Sequence, residues 1–113
     1  PTKPYNLKID IPSGYSGAYD FNAYINGQVI GTKSVDNVGY IDQNQIDLMI
    51  TGSGTQSLVI EIRNKETGKF ATYAKCSSFD FTTGNYTPLI YDNNAFDSTS
   101  GSINYGNESS NGY

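Results

Sequence analysis

The chain has 113 residues, with 7 basic and 11 acidic side chains, a net charge of −4 and no histidine. That length fits one domain with a core of two packed layers, and the acidic balance argues against partners that are nucleic-acid phosphates or anionic lipid. Without histidine the chain lacks the usual general base, the commonest metal ligand and the standard serine or cysteine triad, so no enzymatic activity is expected.

The first apolar alternation is "NLKIDI", where Leu7, Ile9 and Ile11 share one side of a strand and Lys8 and Asp10 the other. Pro1 and Pro4 stiffen the segment before it. In "AYDFNAYINGQVIG", Tyr19, Phe21, Ala23 and Ile25 form a dry face opposite Asp20, Asn22 and Tyr24. The Asn26-Gly27 pair then takes positive φ readily and predicts a hairpin into the next strand. After polar residues around Asp36-Asn37, "QIDLMI" and "SLVIEIR" place Ile46, Leu48 and Ile50, and then Leu58, Ile60 and Ile62, on single faces. The linker "TGSGTQ" between them predicts a second hairpin.

"NKETGK" marks a turn into "FATYAKC", in which Phe70, Ala74 and Cys76 share parity while Tyr73 and Lys75 face the other way. At Ser77-Ser78 the aromatic parity shifts to Phe79 and Phe81, the signature of a bulge or a bend between sheets. A last core strand is expected around Leu89 to Tyr91. No stretch carries a helical apolar period. About seven short strands with turn signals between them predict an all-β, antiparallel β-sandwich, Ig-like in the broad sense, with a small β-barrel as the alternative. The sandwich core is assigned to residues 1–91, its N-terminal strand a candidate for exchange with a neighbour. Residues 92–113 form a polar segment whose five Asn, five Ser and three Gly predict a flexible tail, apart from apolar anchors at Phe96, Ile103 and Tyr105.

Several motifs bear on chemistry. Asp20, Asp47, Glu61 and Asp80 are the carboxylates that would serve a glycosidase, and each is expected as a solvated residue on a strand's wet face or near a strand end. "DNNAFD" has oxygen ligands but lacks the residue order of a calcium loop, so no cofactor is expected, with structural calcium as the one ion those oxygens would suit. "TGSGT" has no P-loop lysine. Cys76 is expected as a buried, inert thiol, and a single cysteine leaves no internal disulfide. "AYINGQVIG" resembles the hairpin of PEGA-type surface-stalk modules, a likeness confined to nine residues around a widespread turn.

Candidate binding and modification residues follow from composition. Tyr24 and Tyr73, with Tyr15, Tyr19, Tyr40 and Tyr86, would stack on sugars if exposed. Asn85 in "NYT" and Asn107 in "NES" are sequons for N-glycosylation. Lys8, with Glu61 as the proton-handling acid and Asn85 or Asn104 as acceptor, is a candidate isopeptide set. Leu7, Ile9 and Ile11, or Ile103 and Tyr105, are candidate contacts of a donated strand.

No apolar run approaches the ~20 residues of a membrane-crossing helix, and no membrane insertion of this chain is expected. A sequence that begins at Pro1 reads as a processed secretory product or a module of a longer protein. Few charges, many tyrosines and abundant Asn, Ser, Thr and Gly favour the cell surface or the extracellular space. The expectation is a non-catalytic structural or adhesive module, a filament or stalk subunit assembling by β-strand addition with itself or with other surface-protein modules. The alternative is a carbohydrate-binding module whose partners are glycans.

Overall fold

The computed structural model describes residues 3–12, 17–38 and 45–99. Among these residues seven strands precede one short helix: β1 Lys3–Asp10, β2 Gly17–Ile25, β3 Gln28–Val38, β4 Gln45–Gly52, β5 Thr55–Asn64, β6 Phe70–Asp80, β7 Ile90–Tyr91 and α1 Asn94–Thr99. They form a five-stranded antiparallel sheet in the order β3-β2-β5-β6-β7 and a two-stranded antiparallel sheet of β1 and β4. This is a β-sandwich and not a closed barrel.

Alternation decides which faces meet. Leu7 and Ile9 from β1 and Ile46, Leu48 and Ile50 from β4 are buried while the residues between them are exposed. They pack against Tyr19, Phe21, Ala23, Leu58, Ile60 and Ile62 of the larger sheet, with Ile11 also buried just past β1. The first hairpin forms as its sequence predicts: Asn26 and Gly27 have φ of 50° and 81°, the positive values that a tight turn between twisted strands requires. The turn after β5 also forms, with the Asn64 side-chain oxygen accepting from the N–H groups of Glu66 (2.8 Å) and Thr67 (3.1 Å).

The second predicted hairpin does not form. β4 pairs with β1, and the "TGSG" linker carries the chain across to the other sheet. The glycines that suit a hairpin suit this corner equally. Gly52 lies so close to Phe81 that a Cβ would come within 2.8 Å of its ring. Gly54 has a φ of 70°, and its carbonyl accepts from the Phe81 N–H at 2.8 Å.

β6 contains two irregularities. Cys76 and Phe79 stand opposite Leu58 and Gln56, so Ser77 and Ser78 oppose one residue, and the predicted bulge turns Phe79 and Phe81 inward. A second bulge lies where Ala74 and Thr72 face Ile60 and Glu61, leaving Tyr73 without a register partner. A bulge re-aims a side chain, and Tyr73 is buried at 1% exposure, not outward as simple alternation predicts.

Two strands cannot cover five, and α1 covers part of what remains. Phe96 is fully buried, with ring centroids 5.0 Å from Tyr73, 5.1 Å from Tyr19 and 6.4 Å from Phe21. The core therefore continues past Tyr91 through Thr99, and Phe96 serves as the apolar anchor its sequence position indicates. With six residues, less than two turns, α1 is too short to show a helical apolar period in the sequence. The Thr67 hydroxyl donates to the Thr99 carbonyl at 2.7 Å and fixes its end to the β5–β6 turn.

Phe96→Ala should destabilise the fold by about 3–5 kcal/mol, because it removes the ring that joins the aromatic cluster. Urea unfolding is the measurement, and Phe96→Leu should lose clearly less.

Candidate functional site

The carboxylates singled out in the sequence are each engaged in a local structural contact. Asp47, exposed on β4, accepts from Lys8 Nζ at 2.8 Å across the β1–β4 ladder. The Lys8 hydrogen bond, followed by its charge, holds the Asp47 carboxyl below its ordinary value. Asp80 closes the loop after β6 by accepting from the Thr82 N–H at 2.8 Å, and these backbone contacts, helped by Thr83, lower its pKa as well. Asp20 is hydrogen-bonded by the Ser34 hydroxyl.

Glu61 departs from the expected solvated position. It faces away from the main core yet is only 1% exposed, and it accepts from Asn22 Nδ2 at 2.9 Å with Arg63 Nε 3.8 Å away. The Arg63 guanidinium lies 4.3 Å from the centroid of the Phe70 ring, which fixes the cation beside the acid. A buried carboxylate needs such partners, and Asn22 in turn accepts from the Thr32 hydroxyl at 2.8 Å. Thr32, Asn22 and Glu61 thus form a polar row across β3, β2 and β5. Strand parity identifies the outer face but not this burial, which depends on neighbouring long side chains.

The isopeptide set is not brought together. Lys8 belongs to the two-stranded sheet and pairs with Asp47, whereas Glu61 belongs to the five-stranded sheet and pairs with Asn22 and Arg63. Asn85 is exposed in the loop between β6 and β7, where its N–H donates to Thr83 Oγ1 at 3.2 Å and its carbonyl accepts from the Asp80 N–H at 2.8 Å. Asn104, together with the second sequon at Asn107, lies outside the described residues.

The tyrosines do not share one platform. Tyr19 and Tyr73 are core residues at 1% exposure, so Tyr73 cannot present a ring face to a sugar. Tyr24 is half-buried on the outer face of β2, opposite Val29 and Val59, two positions from Asn22. Tyr86 is 45% exposed and stacks on Phe79 at 5.1 Å with an interplanar angle of 11°. Tyr15 and Tyr40 lie outside the described residues. Cys76 is buried, as expected, with its Sγ 3.3 Å from the Thr87 carbonyl oxygen. Among the described residues no cluster of three acidic or cysteine side chains is placed to hold a metal ion, and the Asp92–Asp97 oxygens are partly used locally, with Asp92 Oδ1 accepting from the Asn94 N–H at 3.1 Å.

The strand edges are the remaining candidate surface. Among the described residues both strands of the small sheet are edge strands, and the larger sheet ends at β3 and at the two-residue β7. Tyrosine hydroxyls occupy part of the β1 edge. Tyr73 donates to the Asp10 carbonyl at 2.5 Å, and the Asp10 N–H donates to the Tyr91 hydroxyl at 3.0 Å. Nearer the other end of β1 the Tyr5 hydroxyl donates to the Phe81 carbonyl at 3.0 Å. Leu7, Ile9 and Ile11, candidates for donation, fill the chain's own core. Ile103 and Tyr105, the other candidates, lie outside the described residues.

The lowered Asp47 pKa predicts a specific acid response. Its contribution to stability is present above the ordinary carboxyl value of 3.8 and is lost as pH falls through the lower folded value. In an NMR titration the Asp47 carboxyl should titrate below 3.8 and move up toward it in Lys8→Ala. An unchanged titration would remove Lys8 as the cause.

No family model matches this chain, and neither the curated proteins nor the solved structures compared with it contain a match.

Proposed function

We propose that this protein is a non-catalytic structural or adhesive module of the cell surface or extracellular space, and that it assembles through β-strand addition. The observation that carries this reading is that, among the described residues, both members of the two-stranded sheet are edges, set against a larger sheet that ends in an edge beside it. An edge strand has unpaired N–H and C=O groups that another extended chain can satisfy. Nature usually blunts such edges, and here the tyrosine hydroxyls at Asp10 do so on β1. No comparable cover lies along facing β3 and β4 among the described residues.

The carboxylates support the non-catalytic part of the proposal. Asp47 and Asp80 have lowered pKa values, the opposite of what a general acid near neutral pH needs. Glu61 is tied to Asn22. The exposed Asn85 sequon and the uncharged polar composition support an extracellular setting, where a glycan on that loop would stand clear of the core. The partners are then further copies of this chain, each carrying an extended segment.

Glycan binding is the second reading, and the position of Tyr24 favours it. Its half-buried ring lies on the outer face of β2 beside the polar row of Thr32, Asn22 and Glu61, an aromatic surface next to polar side chains. In a glycan array this reading expects binding that Tyr24→Ala abolishes.

Assembly is tested by light scattering and electron microscopy of the chain over a wide concentration range. The proposal expects mass that grows with concentration and extended particles. A monomer at every concentration would overturn it.

A further inference from the structure

The five-stranded sheet has a second face. β1, β4 and α1 pack on its inner side, and among the described residues no strand or helix covers the outer one. There the strand register lines up a single row. Val29 of β3 stands opposite Tyr24 of β2, Tyr24 opposite Val59 of β5, Val59 opposite Lys75 of β6, and Lys75 opposite Ile90 of β7. Directly paired residues share a face of the sheet, and the row spans four intervals of ~4.8 Å, or ~19 Å.

This row is mostly apolar and open. Ile90 is 69% and Val29 54% exposed, two of the four large apolar side chains exposed among the described residues, and Tyr24 and Val59 are half-buried between them. Polar groups flank it. Thr32, Asn22 and Glu61 form the row on one side, and on the other the Ser57 hydroxyl donates to the Ser77 carbonyl at 2.9 Å. An apolar strip between polar margins is the anatomy of a protein contact.

The order of the row selects the partner. Counted outward from Val59, aromatic Tyr24 and cationic Lys75 stand one strand away on opposite sides, and apolar Val29 and Ile90 stand two strands away. A twofold axis parallel to the strands at Val59 sets Val29 of one copy against Ile90 of the other, Tyr24 against Lys75, and Val59 against itself. The Lys75 ammonium then meets a tyrosine ring, a favourable cation–π contact. An axis along the row would instead oppose Lys75 to Lys75. Glu61 faces its counterpart across the axis, but it is 1% exposed and Arg63 Nε, 3.8 Å away, offsets its charge within each copy.

We propose that the outer face of the five-stranded sheet docks a second copy of this chain, face to face about the twofold axis at Val59. Two sheets packed in this way lie ~10 Å apart with their strands within ~30° of each other. The contact uses side chains and no sheet edge, so it does not depend on strand addition. It is isologous and closes at two copies, whereas strand addition continues.

The experiment uses full-length chains. Val29→Cys is mixed with Ile90→Cys and treated with a short bis-maleimide, and linked dimers are counted on a denaturing gel. Native Cys76 is buried and gives little background. The mixture should link about tenfold more than either variant alone, because docking brings those two positions together and keeps like positions apart. Equal yields from the mixture and the single variants, or yields that Thr82→Cys matches in place of Ile90→Cys, would overturn the proposal. In sedimentation Tyr24→Lys should weaken the dimer about tenfold by opposing two ammonium groups, and adding Lys75→Tyr should restore it. A swapped chain that is folded by circular dichroism yet monomeric would overturn the axis and the proposal with it. So would an unmodified chain that stays monomeric while glycans on an array bind it through Tyr24. Extended particles without linked pairs would leave the assembly reading standing and remove this one; linked pairs that stop at two copies would do the reverse.

Discussion

The fold depends on how two strands and one short helix cover the inner face of a five-stranded sheet. Apolar area left uncovered on that face would forfeit ~25 cal/mol for every Å² exposed to water. β1 and β4 cover it with alternating Leu and Ile side chains, and Phe96 inserts between Tyr19 and Tyr73 where those strands do not reach. This division places β4 beside β3 without joining them. The open seam is a consequence of the same shortage of strands.

The two bulges of β6 make the arrangement work. One turns Phe79 and Phe81 inward, where they pack on each other at 4.5 Å and on Tyr5 at 5.6 and 6.0 Å. The other turns Tyr73 inward, so that its ring meets Phe96 while its hydroxyl reaches the Asp10 backbone. Core packing and protection of the β1 edge are thus two uses of one side chain. Tyr91 extends this arrangement. Its ring lies 5.1 Å from Tyr73, and burial, the largest influence on it, raises its pKa, keeping neutral the hydroxyl that accepts from Asp10.

Much of the fold was legible in the sequence because burial in a strand obeys a period of two. The inward residues of β1, β2, β4 and β5 and the bulge at Ser77-Ser78 followed from that rule, and the Asn26-Gly27 hairpin from the positive φ that this pair adopts readily. Pairing did not. "TGSG" reads the same whether the chain returns along its own sheet or crosses to the other, and only the packing of Gly52 against Phe81 distinguishes them. Tyr73 and Glu61 depart from the pattern for related reasons, Tyr73 because a bulge breaks alternation and Glu61 because its neighbours cover an outer-face residue. At Gly31 an added Cβ would sit on the Met49 carbonyl oxygen. The meaning of this glycine, a point of contact between two edges, depends on tertiary placement.

The central claim is that the β3–β4 seam is where extended chain is added. Amide hydrogen exchange at the seam tests it most directly, measured on dilute and on concentrated protein. The account predicts that amides of Lys33 to Asp36 and of Gln45 to Asp47 gain protection with concentration while those of the β5–β6 turn do not. Protection that is independent of concentration, or that rises instead along the free edge of β1, would contradict it.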